Sequence, residues 1–226
     1  WGIKTIHYVS PSIWAWRRGR VNKIKHAVSH MLVLFPHELP LYQQAGIPAT
    51  YVGHPLADSL PLKPDREGAR RDLTLPADKL IIAILPGSRQ SELHYMADLF
   101  VKTAQLIHQQ IDNVQFLVPV ISRETRWMFD EVLRRNDADQ LPLSILFGHA
   151  HLAIEAADAV LVASGTATLE AALLKRPMVI AYRVSQLTWQ IVRRMIYLPY
   201  VGLPNILAGR KIVPELLQED ATPEKL

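Results

Sequence analysis

Short apolar runs alternate along the chain with segments in which apolar residues recur at intervals of three and four. The spacing in Ser91–Gln110 predicts a helix with one buried stripe, made by Leu93, Met96, Phe100, Ala104 and Ile107. The apolar runs predict β-strands at Thr5–Ser10, Met31–Phe35, Thr50–Gly53, Leu80–Leu85, Gln115–Ile121, Ser144–Phe147, Ala159–Ala163 and Met178–Tyr182. Strands that are apolar on both faces and are joined by helices predict an α/β protein whose parallel sheet is covered on both sides.

A proline-rich stretch interrupts this alternation. Residues 55–64 contain three prolines, which fix φ and remove backbone donors, as is typical of a semi-rigid linker. The elements before it are too few to close a core, whereas those after it are enough for a doubly wound domain. The sequence therefore predicts the end of one domain in residues 1–57, a linker in 58–64 and most of a Rossmann-like domain in 65–226.

Composition and charge exclude several classes of protein. The 226 residues are 49% hydrophobic, which excludes a disordered chain. The chain contains no Cys, which excludes disulfides, thiol catalysis and Cys-based zinc sites. No apolar run approaches the ~18–20 residues of a membrane-spanning helix. Residues 1–37 and 171–214 are basic and contain no acid, which favours an anionic ligand or surface, or two solvated helix faces. The chain begins at Trp1 without Met, and we expect it to be a piece of a longer protein.

The first candidate site follows the strand predicted at Leu80–Leu85. The sequence Gly87-Ser88-Arg89 predicts a tight turn into a helix, with free backbone N–H groups and the positive end of the helix dipole facing an anion. Ser88 or Ser91 is expected to cap the helix. The planar guanidinium of Arg89 suits a phosphate. An ordinary capped helix with an exposed arginine is the alternative.

The second candidate site follows the strand predicted at Ala159–Ala163. Ser164, Gly165 and Thr166 are small enough to let phosphates approach the backbone, and Glu170 is expected to accept from a sugar's hydroxyl pair. Neither loop matches the motifs of dinucleotide-binding proteins or P-loop kinases and ATPases. Because both loops follow strands of one predicted sheet, together they predict a diphosphate site at its carboxyl edge.

Three other patterns have a structural interpretation beside a functional one. The pair His149-x-His151 lacks a third ligand at suitable spacing, and Asp137-x-Asp139 lies in a polar loop, so we expect no metal site. Arg17 falls on the same helical arc as Ile13 and Val21, which indicates either an anion contact or an irregular helix start. Trp14 and Trp16 beside arginines suit a membrane interface or, equally, the end of a core helix.

Four ordered motifs together resemble the lipid-A-disaccharide synthase family. They are YVSPSIWAWR at 8–17, LPGSR at 85–89, SGTATLE at 164–170 and LPNILAG at 203–209, and PELLQ at 214–218 fits as well. The resemblance implies an inverting glycosyltransferase of GT-B architecture. It implies transfer of 2,3-diacylglucosamine from its UDP derivative to 2,3-diacylglucosamine 1-phosphate, which forms the β-1,6-linked lipid A disaccharide and UDP.

The resemblance also assigns the site. It implies that the two loops hold the diphosphate and ribose, that the Phe147-Gly148 backbone meets the uracil edge, and that Asn205 belongs to the same nucleotide site. The substrate-binding residues are thus Arg17, Gly87, Ser88, Arg89, Phe147, Gly148, Ser164, Gly165, Thr166, Glu170 and Asn205. No cofactor or metal is implied. The general base is an Asp expected upstream of Trp1, so the chain alone should bind UDP-sugar weakly without turnover.

The remaining expectations concern partners and competing functions. The resemblance implies a cytoplasmic enzyme of a Gram-negative bacterium at the surface of the inner membrane, binding no nucleic acid, and leaves open whether it is a homodimer. One alternative is another enzyme using UDP-N-acetylglucosamine, such as the peptidoglycan transferase or a non-hydrolysing 2-epimerase, which should lack the Ser-Pro-Ser-Ile-Trp-Ala-Trp segment. The other alternative is a non-catalytic basic module, which should bind any polyanion with a steep salt dependence.

Overall fold

The computed structural model describes residues 2–15, 18–195 and 197–226, which form two compact units. One unit comprises Trp1–Leu60 with Gln190–Pro199, and the other comprises Pro61–Trp189 with Tyr200–Leu226. The sequence had assigned 65–226 to a single domain, whereas 190–199 groups with the first unit. Within the described residues, no helix is long and apolar enough to cross a membrane.

The first unit is a three-stranded parallel sheet with short helices. The strands β1 (Ile6–Tyr8), β2 (His30–Val33) and β3 (Ala49–Tyr51) lie in sequence order, with helices α1 (Val21–Ala27), α2 (Leu39–Gln44) and α3 (Pro55–Ser59). Helix α3 lies at the start of the proline-rich stretch. Pro55 begins it because the first position of a helix needs no N–H, and the ring nitrogen Nδ1 of His54 caps it by accepting from Leu56 N–H at 3.2 Å.

The predicted helical arc of the first unit is only partly helical. Ile13 is buried in the core with Met31 and Tyr42, and Val21 packs against them, but residues 18–20 form a 3₁₀ turn and α1 starts only at Val21. Trp14 is half-buried and lies edge-on to His37, with 4.7 Å between ring centres. Trp16 and Arg17 lie outside the described residues, so the predicted role of Arg17 has no structural counterpart here.

The second unit is a six-stranded parallel sheet with the order β6-β5-β4-β7-β8-β9. Its strands are β4 (Leu80–Leu85), β5 (Val114–Val120), β6 (Leu143–Phe147), β7 (Ala159–Ala163), β8 (Met178–Tyr182) and β9 (Glu215–Leu217). Its helices are α4 (Arg66–Asp72), α5 (Gln90–Gln110), α6 (Arg123–Arg135), α7 (Ala150–Ala156), α8 (Thr166–Leu173) and α10 (Leu203–Ala208); α9 spans Gln186–Met195. The predicted doubly wound parallel sheet is confirmed.

The core of the second unit lies where α5 covers the sheet. Leu93, Met96, Phe100 and Ala104 of the predicted stripe are buried, and Ile107 packs against them at its edge. The eight predicted strands all form: three have the predicted boundaries, and five have boundaries that differ by one or two residues. Strand β9 was not predicted, because three residues give no readable period and only their pairing with β8 defines them.

The strand order creates a switch point between β4 and β7. From β4 the chain moves outward through β5 to β6, returns to β7 beside β4, and then moves outward on the other side to β8. In the register of this pair, Leu85 is the partner of Val162. Parallel neighbours lie about 4.8 Å apart, so the loops after β4 and β7 leave the sheet side by side. This crevice is where open α/β sheets bind their ligands.

Candidate functional site

The loop after β4, residues 86–89, is shaped by a glycine and by a glutamate of the following helix. Gly87 has φ +114°, a conformation that side chains with a Cβ rarely adopt. A Cβ at this position would also lie 2.6 Å from the Cβ of Glu92 and 2.8 Å from its Oε2. Both the backbone conformation and the packing against Glu92 therefore require glycine.

The carboxylate of Glu92 occupies two of the amides that the sequence predicted to be free. Its Oε2 accepts from the backbone N–H of Ser88 at 3.0 Å and of Arg89 at 3.3 Å, and its Oε1 accepts from Arg89 Nη1 at 3.0 Å. The prediction of free N–H groups is wrong for these two residues, and neither Ser88 nor Ser91 caps the helix. Glu92 does so because it is the third residue of α5, from where a carboxylate reaches back to the preceding turn.

Arg89 remains available despite this ion pair. Its side chain is 78% exposed, whereas that of Glu92 is 14% exposed. Only Nη1 is engaged by Glu92, so the guanidinium has further N–H groups to offer. The loop therefore presents the Arg89 cation at the switch point, while the Glu92 carboxylate accepts from the amides of Ser88 and Arg89.

The loop after β7, residues 164–166, has a different arrangement. Gly165 has φ +151° and ψ −162° and is the N-cap of α8, and a Cβ there would meet no atom within 4 Å. Among the described residues no acceptor receives the amides of Gly165, Thr166 and Ala167. The Ser164 hydroxyl donates to the carbonyl of Val201 at 3.2 Å. This loop thus has three amides and the positive end of the helix dipole available, whereas the hydroxyl of Ser164 is already used.

Glu170 lies on α8 beside a histidine of α7. Its Oε2 is 3.6 Å from Nδ1 of His151, and its side chain is 20% exposed. The ring of His149 turns the other way and makes a 2.7 Å hydrogen bond with the carbonyl of Phe147. The two histidines are therefore separated by their partners, and no group of three potential metal ligands occurs among the described residues.

The Phe147-Gly148 segment lies at the end of β6, two strands away from β4. The N–H of Gly148 donates to the carbonyl of Val120 at 2.8 Å, and the Phe147 carbonyl faces His149. The residue Phe147 is 47% exposed, and the guanidinium of Arg126 lies 5.4 Å from the centre of its ring. The predicted uracil contact stays a prediction, and these two backbone groups are engaged within the protein.

Asn205 is completely buried and fully hydrogen-bonded. Its Nδ2 donates to the carbonyl of Val213 and to Oε1 of Glu215, and its Oδ1 accepts from the amides of Ile212 and Val213. The side chain has no group left for a ligand in this arrangement. Its side chain ties α10 to Ile212, Val213 and Glu215, and Glu215 in turn accepts from the amide of Val201, whose carbonyl receives the Ser164 hydroxyl.

Three residues near the site make contacts that the sequence did not predict. Glu215 accepts from the amides of Val201 and Gly202 and so fixes the segment that Asn205 organises. His151 faces Glu170. Tyr182 ends β8, and burial raises the pKa of its phenol; the negative charge of Glu92 raises it further, while Arg89 opposes both. Only the position of Tyr182 at a strand end could have signalled it, because contacts between distant residues leave no local pattern.

The structure brings some predicted residues together and leaves others apart. Gly87, Ser88 and Arg89 lie on a loop adjacent to Ser164, Gly165 and Thr166, and Glu170 lies farther along the helix that follows the second loop. Phe147 and Gly148 lie at the sheet edge, and Asn205 lies behind the second loop. The common centre of the predicted site is thus the switch point.

Comparisons with known proteins identify the family to which this chain is similar. The family model described as lipid-A-disaccharide synthetase matches residues 2–226. The lipid-A-disaccharide synthase of Methylobacillus flagellatus is 65% identical over 225 residues, which is 100% of this chain and 60% of that protein. The synthase of Aromatoleum aromaticum is 59% identical, again over 100% of this chain and 58% of the relative. The chain therefore spans about 60% of the length of these relatives.

Solved structures support the fold alone. Anabaena Alr3699/HepE in complex with UDP and glucose aligns with a TM-score of 0.55 at 16% identity, over 98% of this chain and 59% of that one. E. coli ADP-heptose lps heptosyltransferase II aligns with a TM-score of 0.51 at 14% identity, over 92% of this chain and 77% of that one. The fold is of the GT-B type, as predicted. With a family model that matches nearly every residue, the chain belongs to the lipid-A-disaccharide synthetase family.

Proposed function

We propose that this chain supplies the nucleotide-sugar site of a lipid-A-disaccharide synthase. The whole protein would transfer 2,3-diacylglucosamine from UDP-2,3-diacylglucosamine to 2,3-diacylglucosamine 1-phosphate, and release UDP and the β-1,6-linked disaccharide. The observation that carries the proposal is the pair of glycine turns that leave adjacent parallel strands at the switch point. Membership of the family supplies the substrate class.

In this proposal the two loops share the diphosphate. Arg89 contributes a planar cation, and the amides of Gly165, Thr166 and Ala167 contribute a cradle at the start of α8. When the bond between the sugar's anomeric carbon and UDP breaks, negative charge grows on the leaving phosphate. Preorganised N–H groups at that position stabilise the transition state more than the ground state.

The other residues hold the nucleoside. Glu170 would accept from the ribose hydroxyls, with His151 at 3.6 Å fixing the direction of its carboxylate. The Phe147-Gly148 segment would flank the uracil. Because the Asn205 side chain is saturated, we assign it to the support of the second loop through Val201. No residue of this chain is assigned to deprotonate the acceptor hydroxyl; that base is expected in the upstream part of the parent protein.

The test is turnover by the full-length protein that contains this chain. Purified protein is incubated with both diacylglucosamine substrates, and we expect disaccharide and UDP in equal amounts. UDP-N-acetylglucosamine replaces the acylated donor in a parallel reaction. Epimerisation of that nucleotide, or its use as donor in place of the acylated one, would support the competing enzymes. Absence of disaccharide from well-folded, UDP-binding protein would contradict the proposal.

We also propose that the parent protein contacts the inner membrane peripherally through its first basic stretch. Residues 1–37 carry six basic side chains and no acid, and Trp14 lies among them. Co-sedimentation of the parent with anionic vesicles should exceed that with neutral vesicles and should fall with added salt. Equal sedimentation with both kinds of vesicle would contradict an electrostatic contact.

A further inference from the structure

The loop after β4 contains an ion pair whose two members have unequal exposure. Glu92 is nearly enclosed, and its two carboxylate oxygens are used separately. Oε2 receives the Ser88 and Arg89 amides, and Oε1 receives one arm of the Arg89 guanidinium. One side chain thus fixes both the backbone of the loop and the direction of its only cation.

This geometry matters because a free arginine side chain samples many rotamers. Fixing a long side chain before binding lowers the entropy lost when the ligand arrives. Holding Nη1 leaves the other edge of the planar fork for a bidentate contact. The same carboxylate also removes two amides from competition for the ligand, so this loop acts through its side chain and not through its backbone.

The fit of glycine to glutamate supports a dedicated arrangement. The position where a Cβ of Gly87 would be is filled by the side chain of Glu92. A helix-capping acid needs no such close approach to the turn that it caps. Tyr182 supplies a further neighbour, since the charges of both Glu92 and Arg89 act on its phenol.

We propose that Glu92 is a positioning residue for nucleotide-diphosphate binding, which acts by holding the Arg89 guanidinium toward the phosphates. The inference rests on the proposed function, because it takes the diphosphate as the ligand of Arg89. Glu92 itself does not touch the nucleotide. Its effect should therefore depend on the presence of both Arg89 and a phosphate.

A double-mutant cycle in the full-length protein tests this coupling. Affinities for UDP and for uridine are measured by calorimetry in the wild type, Arg89→Ala, Glu92→Ala and the double variant. We expect Glu92→Ala to weaken UDP binding about three- to tenfold and to leave uridine binding unchanged. In the Arg89→Ala background the same change should have no further effect on UDP binding.

Two more variants separate positioning from folding. Glu92→Gln keeps an oxygen acceptor for the loop amides but loses the charge that holds Arg89, so it should weaken UDP binding while its melting temperature stays closer to the wild type. Glu67→Ala is the matched control, since Glu67 lies in the first turn of α4 and pairs with Arg66 at 3.2 Å. It should leave both affinities unchanged.

The outcomes distinguish this inference from the proposed function. If Glu92→Ala weakens uridine as much as UDP, or is equally harmful without Arg89, Glu92 serves only the loop fold. If Glu92→Ala leaves UDP binding unchanged or tightens it, the positioning role is wrong. If Arg89→Ala itself leaves UDP binding unchanged, the diphosphate site has been misplaced and the proposed function loses its main support.

Discussion

The two loops at the switch point have the same sequence pattern and a different chemistry. In both, an apolar strand is followed by a glycine and, five positions later, by a glutamate: Gly87 with Glu92, and Gly165 with Glu170. Glu92 folds back onto its loop and accepts from two amides, whereas Glu170 points toward His151, and no acceptor among the described residues receives the amides of Gly165, Thr166 and Ala167. One loop presents a side-chain cation, and the other presents backbone.

The difference comes from where each helix begins. Helix α5 starts three residues after its glycine, so Glu92 is its third residue and faces the first-turn amides. Helix α8 starts immediately after Gly165, so Glu170 is its fifth residue and lies too far along the helix to reach the first-turn amides. The same five-residue spacing from glycine to glutamate therefore places the two carboxylates at different positions along their helices. Only the amides of the second loop stay open to an anion.

The largest effect is expected from closing that cradle. Gly165→Ala forces a residue with a Cβ into a backbone conformation used almost only by glycine, so the loop must rearrange and its amides turn away. We expect UDP affinity in calorimetry to fall by about 100-fold. Gly46→Ala is the control, because Gly46 has φ +67° in the first unit and should lower only the melting temperature. If Gly165→Ala left UDP binding unchanged, the backbone amides of the second loop would not contribute to UDP binding.

Removal of the cation from the first loop should come next. Arg89→Ala is expected to weaken UDP binding about ten- to hundredfold, the range of a lost charge-assisted contact. Uridine has no phosphate, so its affinity should not change. Arg89→Lys should recover part of the loss, since an ammonium keeps the charge without the fork. If uridine and UDP were weakened equally, Arg89 would be supporting the loop and not the phosphate.

Glu170→Ala should have a smaller and less selective effect. A contact with ribose is common to UDP and uridine, so both should weaken by a similar factor, about five- to tenfold. Titration of the two ligands against this variant gives the measurement. His151→Ala is a companion variant: it removes the neighbour that lies 3.6 Å from the Glu170 carboxylate, and it should reproduce part of the loss in affinity. A loss confined to UDP would place Glu170 beside the phosphates.

The smallest effect is expected at Ser164. Its hydroxyl is already donated to Val201, so Ser164→Ala should change UDP affinity by less than about threefold. The UDP affinity from calorimetry should be compared with the melting temperature from thermal unfolding, because we expect Ser164→Ala to lower the stability modestly. A loss as large as that of Arg89→Ala would mean that the hydroxyl leaves Val201 and binds the ligand, and the second loop would then act through side chains as well.

Much of the fold was readable from local pattern. The strands at Leu80–Leu85, Ala159–Ala163 and Met178–Tyr182 have the predicted boundaries, because fully buried parallel strands are continuous apolar runs with sharp polar ends. The stripe on α5 was readable because helical periodicity persists over 21 residues. Strand β9 and the membership of 190–199 in the first unit were not, because both depend on contacts with residues distant in sequence.

The candidate site shows the same division between features set by local sequence and features set by distant contacts. The sequence by itself determined the glycine turns, the cation at Arg89 and the family, since these are set by residue type and short spacing. The tertiary structure alone decided that Glu92 fills the first cradle, that Asn205 is saturated within its own segment, and that His151 faces Glu170. The physical reason is that a polar group's function depends on which partners have already satisfied it, and those partners are chosen by helix starts and strand order that spacing does not encode.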